Sequence, residues 1–165
     1  MIVGNLKTFH KKCLIDNQGL TLLEIMTVIA ILGILAAISV PNVIAWQQTA
    51  KLRGATRDLM SDLSMARMHA VKNGAVVKAL FKKSGYILFI DTNNDDVAGA
   101  GDDVLRSKKY PPGNVMQKAT FPGAKTAFYP SGAASPAGSV TLDHGGSMQM
   151  KIIVNLVGRI RVQAT

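Results

Sequence analysis

Three groups of side chains in this 165-residue chain have the types and spacing to do chemistry. The first is a single carboxylate, Glu24, the only charge between Asp16 and Lys51, at the head of an uncharged run from Ile25 to Ala50. A carboxylate set into lipid costs about 2.5–3.5 kcal/mol and as a rule has a partner, whereas one at the bilayer edge only marks the interface. The second group is Asp91, Asn93, Asp95 and Asp102, hard oxygen donors spaced as calcium would require. Against that, Asp96 occupies the place where such a loop takes glycine, no helix pair flanks it, and Asx residues also build plain turns. The third is Gly158-Arg159-Ile160-Arg161. In a strand the two arginines share a face, and paired guanidinium groups suit phosphate oxygens. Lys151 and the turn lysines would extend the patch, while the plainer reading is an edge strand blunted by charge.

Nucleophilic and metal catalysis find little here. His10, His69 and His144 are scattered without metal-site spacing. Ser131 and Ser135 lie in a glycine-proline turn that lacks a nucleophile-elbow pattern, and no phosphate-cradling glycine loop opens a helix. Cys13 is the only cysteine, so no intrachain disulfide forms. The expectation is a protein that is not an enzyme and holds no cofactor, with calcium in the acidic loop as the one alternative.

An apolar run of about 20 residues spans a bilayer as a helix, which satisfies its own backbone groups. Before it lies a short leader with Lys7, Lys11 and Lys12, and such charges favour the cytoplasmic side. Lys51, Arg53 and Arg57 flank the other end, so charge alone nearly balances. The net charge of the chain is +9, and with residues 1–19 removed 16 basic and 9 acidic residues remain. A basic surface suits nucleic acid, anionic lipid or an acidic protein. An ordinary secretory signal cut near Ala36-Ala37 is the rival to a membrane helix, but the run is long for one.

Gly19-Leu20-Thr21-Leu22-Leu23-Glu24, with the basic leader before it and the apolar helix after it, resembles the signature of type IV pilins and type II secretion pseudopilins. The resemblance implies that a prepilin peptidase cuts after Gly19 and methylates the new terminus at Leu20, where the family more often has phenylalanine. It implies that Glu24 meets the N-terminus of a neighbouring subunit during assembly. Pro41 falls where such helices usually carry a proline, and predicts a bend there. Asp58-Leu59, Leu63, Ala66-Arg67, Ala70, Asn73-Gly74 and Val77, and later Phe128-Tyr129-Pro130-Ser131-Gly132, Gly138 and Leu142, resemble the GspH/FimT type of minor pseudopilin and minor pilin. The Gly158-Arg159-Ile160-Arg161 segment is similar to one in FimT-like pilins that take up DNA.

The fold class expected is α+β: a long N-terminal helix, transmembrane then amphipathic, packed on a small antiparallel β domain. The segments are a leader over 1–19, a membrane or filament-core helix over 20–45, its amphipathic continuation over 46–74 and a β-rich periplasmic domain over 75–165. Leu52, Ala55, Leu59, Leu63, Ala66 and Ala70 make the apolar stripe of the second half, with Arg57, Asp58 and Asp62 on the other face. Strands are expected at Ala75–Phe81, Tyr86–Ile90, Val104–Arg106, Lys125–Tyr129, Ser139–Leu142, Met148–Leu156 and Arg159–Gln163. The partners implied are other pilins or pseudopilins, the prepilin peptidase and an inner-membrane assembly platform. DNA is the alternative partner, through Arg159, Arg161 and Lys151.

Overall fold

The structure, a computed structural model, describes residues 21–92, 95–99, 101–110, 115–145 and 148–164. Gly19, Leu20 and Asn93 lie outside the described residues. The chain divides into two units, Met1–Pro41 and Asn42–Thr165. Helix α1 covers Leu22–Asn73.

The start of α1 follows from its sequence. Thr21 is the N-cap: its Oγ1 accepts the backbone N–H of Glu24 at 3.2 Å. A Thr followed three residues later by Glu is a capping pattern, and a carboxylate in the first turn also suits the positive end of the helix dipole. The polar residues inside the apolar run return their hydroxyls to the helix. Thr27 donates to the Glu24 carbonyl and Ser39 to that of Leu35, both at 2.8 Å. Every residue from Thr21 to Pro41 is exposed, so this unit presents an apolar helix with no covering of its own.

In the second unit α1 becomes one-sided. Leu52, Ala55, Leu59, Leu63, Ala66 and Ala70 are all buried, as the spacing predicts. The helix stops at Asn73, where Gly74 takes a φ of +64°, the left-handed conformation that ends helices. Among the described residues nine strands follow: β1 Val77–Lys82, β2 Gly85–Ile90, β3 Asp103–Lys109, β4 Met116–Ala119, β5 Lys125–Phe128, β6 Ala134–Ser135, β7 Gly138–Asp143, β8 Gln149–Val154 and β9 Ile160–Ala164. They form a five-stranded sheet in the order β3-β2-β1-β5-β6 and a four-stranded sheet in the order β4-β7-β8-β9, with every pairing antiparallel. Inward residues of both sheets, such as Val77, Phe81, Tyr86, Leu88, Val140, Leu142, Ile152 and Val154, join the α1 stripe in one apolar core. Burying each large side chain of this kind contributes about 1.5–3 kcal/mol. Phe81 stacks on Phe121 with ring centroids 5.2 Å apart.

Two strands, β4 and β6, lie outside the segments that sequence patterning picks out. β4 is short and has no β-branched residue, and its buried Gln117 reads as a loop residue in sequence. Gln117 is held because its Nε2 donates to the Gly85 carbonyl at 3.1 Å.

Candidate functional site

Asp62 sits on the buried side of α1, not on the solvent face assigned to it by the stripe pattern. It is 8% exposed. Its Oδ2 accepts the hydroxyl of buried Tyr86 at 2.7 Å, and its Oδ1 accepts Nε of Arg106 at 3.3 Å. One turn earlier Asp58 pairs with Lys108. The match is geometric. Residues four apart on a helix and two apart on a strand are each separated by about 6–7 Å, so Asp58 and Asp62 meet Lys108 and Arg106 in turn and bind β3 to α1. Burial first, then the Asp62 hydrogen bond, drives the Tyr86 hydroxyl far above its ordinary pKa, so it remains a donor.

Farther along α1, Arg67 reaches two loops. Its Nε donates to the Gly132 carbonyl at 2.8 Å and its Nη2 to the Val157 carbonyl at 3.3 Å. Beside it the Ala134 N–H donates to the Leu156 carbonyl at 3.0 Å. The turn before β6 and the turn between β8 and β9 are thereby joined, one from each sheet. Gly158 is therefore part of the joint. Arg159 precedes β9, its N–H held by Asn155 Oδ1 at 2.8 Å, and it lines a groove against α1 with Met68 and Val71. Arg161 pairs with Ile153 across the β8–β9 ladder.

Register extends the basic face in a way that local sequence does not announce. Lys118 pairs with Thr141, Thr141 with Lys151, and Lys151 with Gln163. Directly paired residues share a sheet face, so Lys118 and Lys151 stand in one row, and Arg161 lies in the next row beyond Ile153. Among the described residues no carboxylate is within ion-pair distance of Lys118, Lys151, Arg159 or Arg161.

The acidic loop folds back over the first sheet. Carboxylate oxygens of Asp91, Asp95 and Asp102 lie within 4.8 Å of one another. The Lys78 ammonium meets Asp91 and Asp96 at 2.5 Å each, and Lys125 meets Asp96 at 2.6 Å. Asp96 has a φ of +64°, so it takes the glycine-like conformation at the glycine position of the loop pattern. Hydrogen bonds from Lys125 and then Lys78 hold its carboxyl down to about 2. Burial works against the charged Lys78, yet its bonds to Asp91 and Asp96 outweigh that and raise its pKa. A calcium ion needs six to eight oxygens and would share Asp91 with this ammonium.

An exposed apolar helix with a first-turn carboxylate, continuing into a helix that carries two antiparallel sheets, defines the pilin-like class of filament subunit. The comparisons with known proteins give the family. The model for the type II transport protein GspH matches residues 55–158, and that for the prokaryotic N-terminal methylation motif matches residues 16–40. The chain belongs to the GspH family. It is 27% identical to the pilin-like protein PilA1 of Thermus thermophilus over 161 residues, 89% of this chain and 99% of that one. It is 43% identical to the type II secretion system core protein G of Pectobacterium carotovorum over 57 residues, 34% of this chain and 36% of that one. Its fold is similar to the minor pseudopilin EpsH of Vibrio cholerae, with a TM-score of 0.57 and 10% identity over 69% of this chain and 97% of that one. The type IV minor pilin FimU of Pseudomonas aeruginosa gives a TM-score of 0.55 at 17% identity, over 68% of this chain and 92% of that one. The family is structural rather than catalytic in general.

Proposed function

We propose that this chain is a minor pseudopilin, a structural subunit of a type II secretion pseudopilus. The observation that carries the reading is α1 before Pro41: apolar, long enough to cross a membrane, wholly exposed, and charged only at Glu24. Such a surface needs either lipid or a bundle of similar helices around it. In this reading the subunit waits in the inner membrane with its β domain in the periplasm. Cleavage after Gly19 removes the leader lysines that hold the N-terminus at the cytoplasmic face. The new amine of Leu20 then gives Glu24 of a neighbour its cation, and α1 leaves lipid for the filament. The partners are other pseudopilins, the prepilin peptidase and the assembly platform. N-terminal sequencing of the protein from cells with the peptidase should begin at Leu20. Glu24→Ala should be processed normally but fail to enter filaments. A chain of unchanged size in the peptidase's presence, or full incorporation of the alanine variant, would refute the reading.

A second reading is a FimT-like minor type IV pilin that binds DNA for natural transformation. What favours it is the row of Lys118 and Lys151 with Arg161 beside it, which meets no carboxylate among the described residues. Contacts of this kind go to phosphates, so binding would ignore sequence and fall steeply with salt. Retention of duplex DNA by the full chain at low salt, lost in the Arg159→Gln/Arg161→Gln double variant, separates this reading from the first. For the acidic loop the reading is a strap tied by Lys78 and Lys125 without a cofactor. The alternative is calcium, which calorimetric titration of the full chain decides.

A further inference from the structure

A groove of about 480 Å³ runs between α1 and the segment entering β9. Its walls include Ser64, Arg67, Met68 and Val71 on the helix, and Arg159 and Ile160 opposite. Met68 is 67% exposed, Val71 51% and the adjoining Val157 68%. Large aliphatic side chains left this open beside a concave surface mark an interaction site. The groove also holds a cation. Arg67 spends Nε and Nη2 on two carbonyls, and among the described residues no carboxylate reaches its guanidinium or that of Arg159.

We infer that this groove docks an acidic, aliphatic segment of a different polypeptide, with a carboxylate between Arg67 and Arg159 and an aliphatic side chain on Met68 and Val71. Charge complementarity selects the occupant. Two guanidinium groups that meet no carboxylate among the described residues ask for one, and the charge-assisted bond is the strong kind. A second copy is the poorer source, since the chain is +9 and four of its ten carboxylates, Asp58, Asp62, Asp91 and Asp96, are in ion pairs. Nucleic acid is a poor one too, because a phosphate backbone leaves Met68, Val71 and Val157 uncovered. The inference stands whichever filament the subunit serves.

The test uses the full chain in nanodiscs of zwitterionic lipid and a labelled peptide alternating leucine and glutamate, read by fluorescence anisotropy. Saturable binding is expected, weakened about tenfold by Val71→Asp, by Arg159→Glu and by glutamine in place of the peptide's glutamates. Met68→Ser, at the most open wall position, serves if Val71→Asp lowers the melting temperature. No saturable binding, equal binding of the glutamine peptide, or native affinity in both wall variants would overturn the inference. So would a duplex oligonucleotide whose binding is lost in those same wall variants.

Discussion

Gly158 lies so close to the carbonyl of Gly132 that a β-carbon on it would stand 2.0 Å from that oxygen and 2.8 Å from Arg67 Nε. Its φ of +72° adds a second reason for glycine. The glycine of Gly158-Arg159-Ile160-Arg161 is thus needed to close the domain, whatever its arginines bind. Gly158→Ala should cost about 3 kcal/mol, from backbone strain plus displacement of the Gly132 turn. A denaturant midpoint close to that of the native chain would show that the turn yields easily.

Arg67 is the other half of this joint. Arg67→Met keeps much of the aliphatic stem but removes both donors. Hydrogen bonds from a charged group contribute about 1.5–3 kcal/mol, so a loss of about 2 kcal/mol is expected. Faster amide exchange at Ala134 and Gly158 should accompany it, because both turns lose their tie. Stability lost without any change at those amides would place the effect elsewhere on α1.

How much of this was legible beforehand follows from range. The α1 stripe from Leu52 to Ala70 and the stop at Asn73-Gly74 are local patterns, and sequence reveals them. Asp62 is misplaced by the same pattern, because a carboxylate counts as a solvent residue until Tyr86 and Arg106 come from strands far along the chain. Lys118 escapes notice for a similar reason: only the register of β4, β7 and β8 sets it beside Lys151. The acidic loop shows its oxygen donors in sequence, but Lys78 and Lys125, which pair with Asp91 and Asp96, arrive from β1 and β5. Local periodicity finds elements and faces, whereas pairing across sheets decides which charges are satisfied.

Tyr86→Phe tests the buried acid. The phenol is 1% exposed and gives Asp62 its shortest bond, at 2.7 Å. Without it Asp62 keeps, among the described residues, the longer contact with Arg106, and a buried carboxylate missing a donor destabilises by about 1–3 kcal/mol. A fall of about 2 kcal/mol in unfolding free energy is expected. An unchanged value would mean that water replaces the hydroxyl and that Asp62 is less enclosed than its 8% exposure implies.

The acidic loop carries a pH dependence whose sign can be worked out. Asp96 ordinarily titrates near 3.8, and Lys125 and Lys78 hold it to about 2 in the folded chain. Between those values the unfolded chain binds more protons than the folded one, so stability rises with pH across the window. The contribution is fully present above pH 4 or so and is lost as pH falls through about 2. Asp96→Asn isolates it, since asparagine tolerates the left-handed backbone at this position but cannot accept the lysines as an anion. The variant should melt below the native chain at pH 6, and the gap should close as pH falls through about 2, where native Asp96 is half protonated. Amide exchange at Val97 and Gly99 should speed up in step, because the Asp96 ion pairs tie this loop to β1 and β5. A melting difference of equal size at both pH values would show that the lysines hold Asp96 by shape rather than by charge.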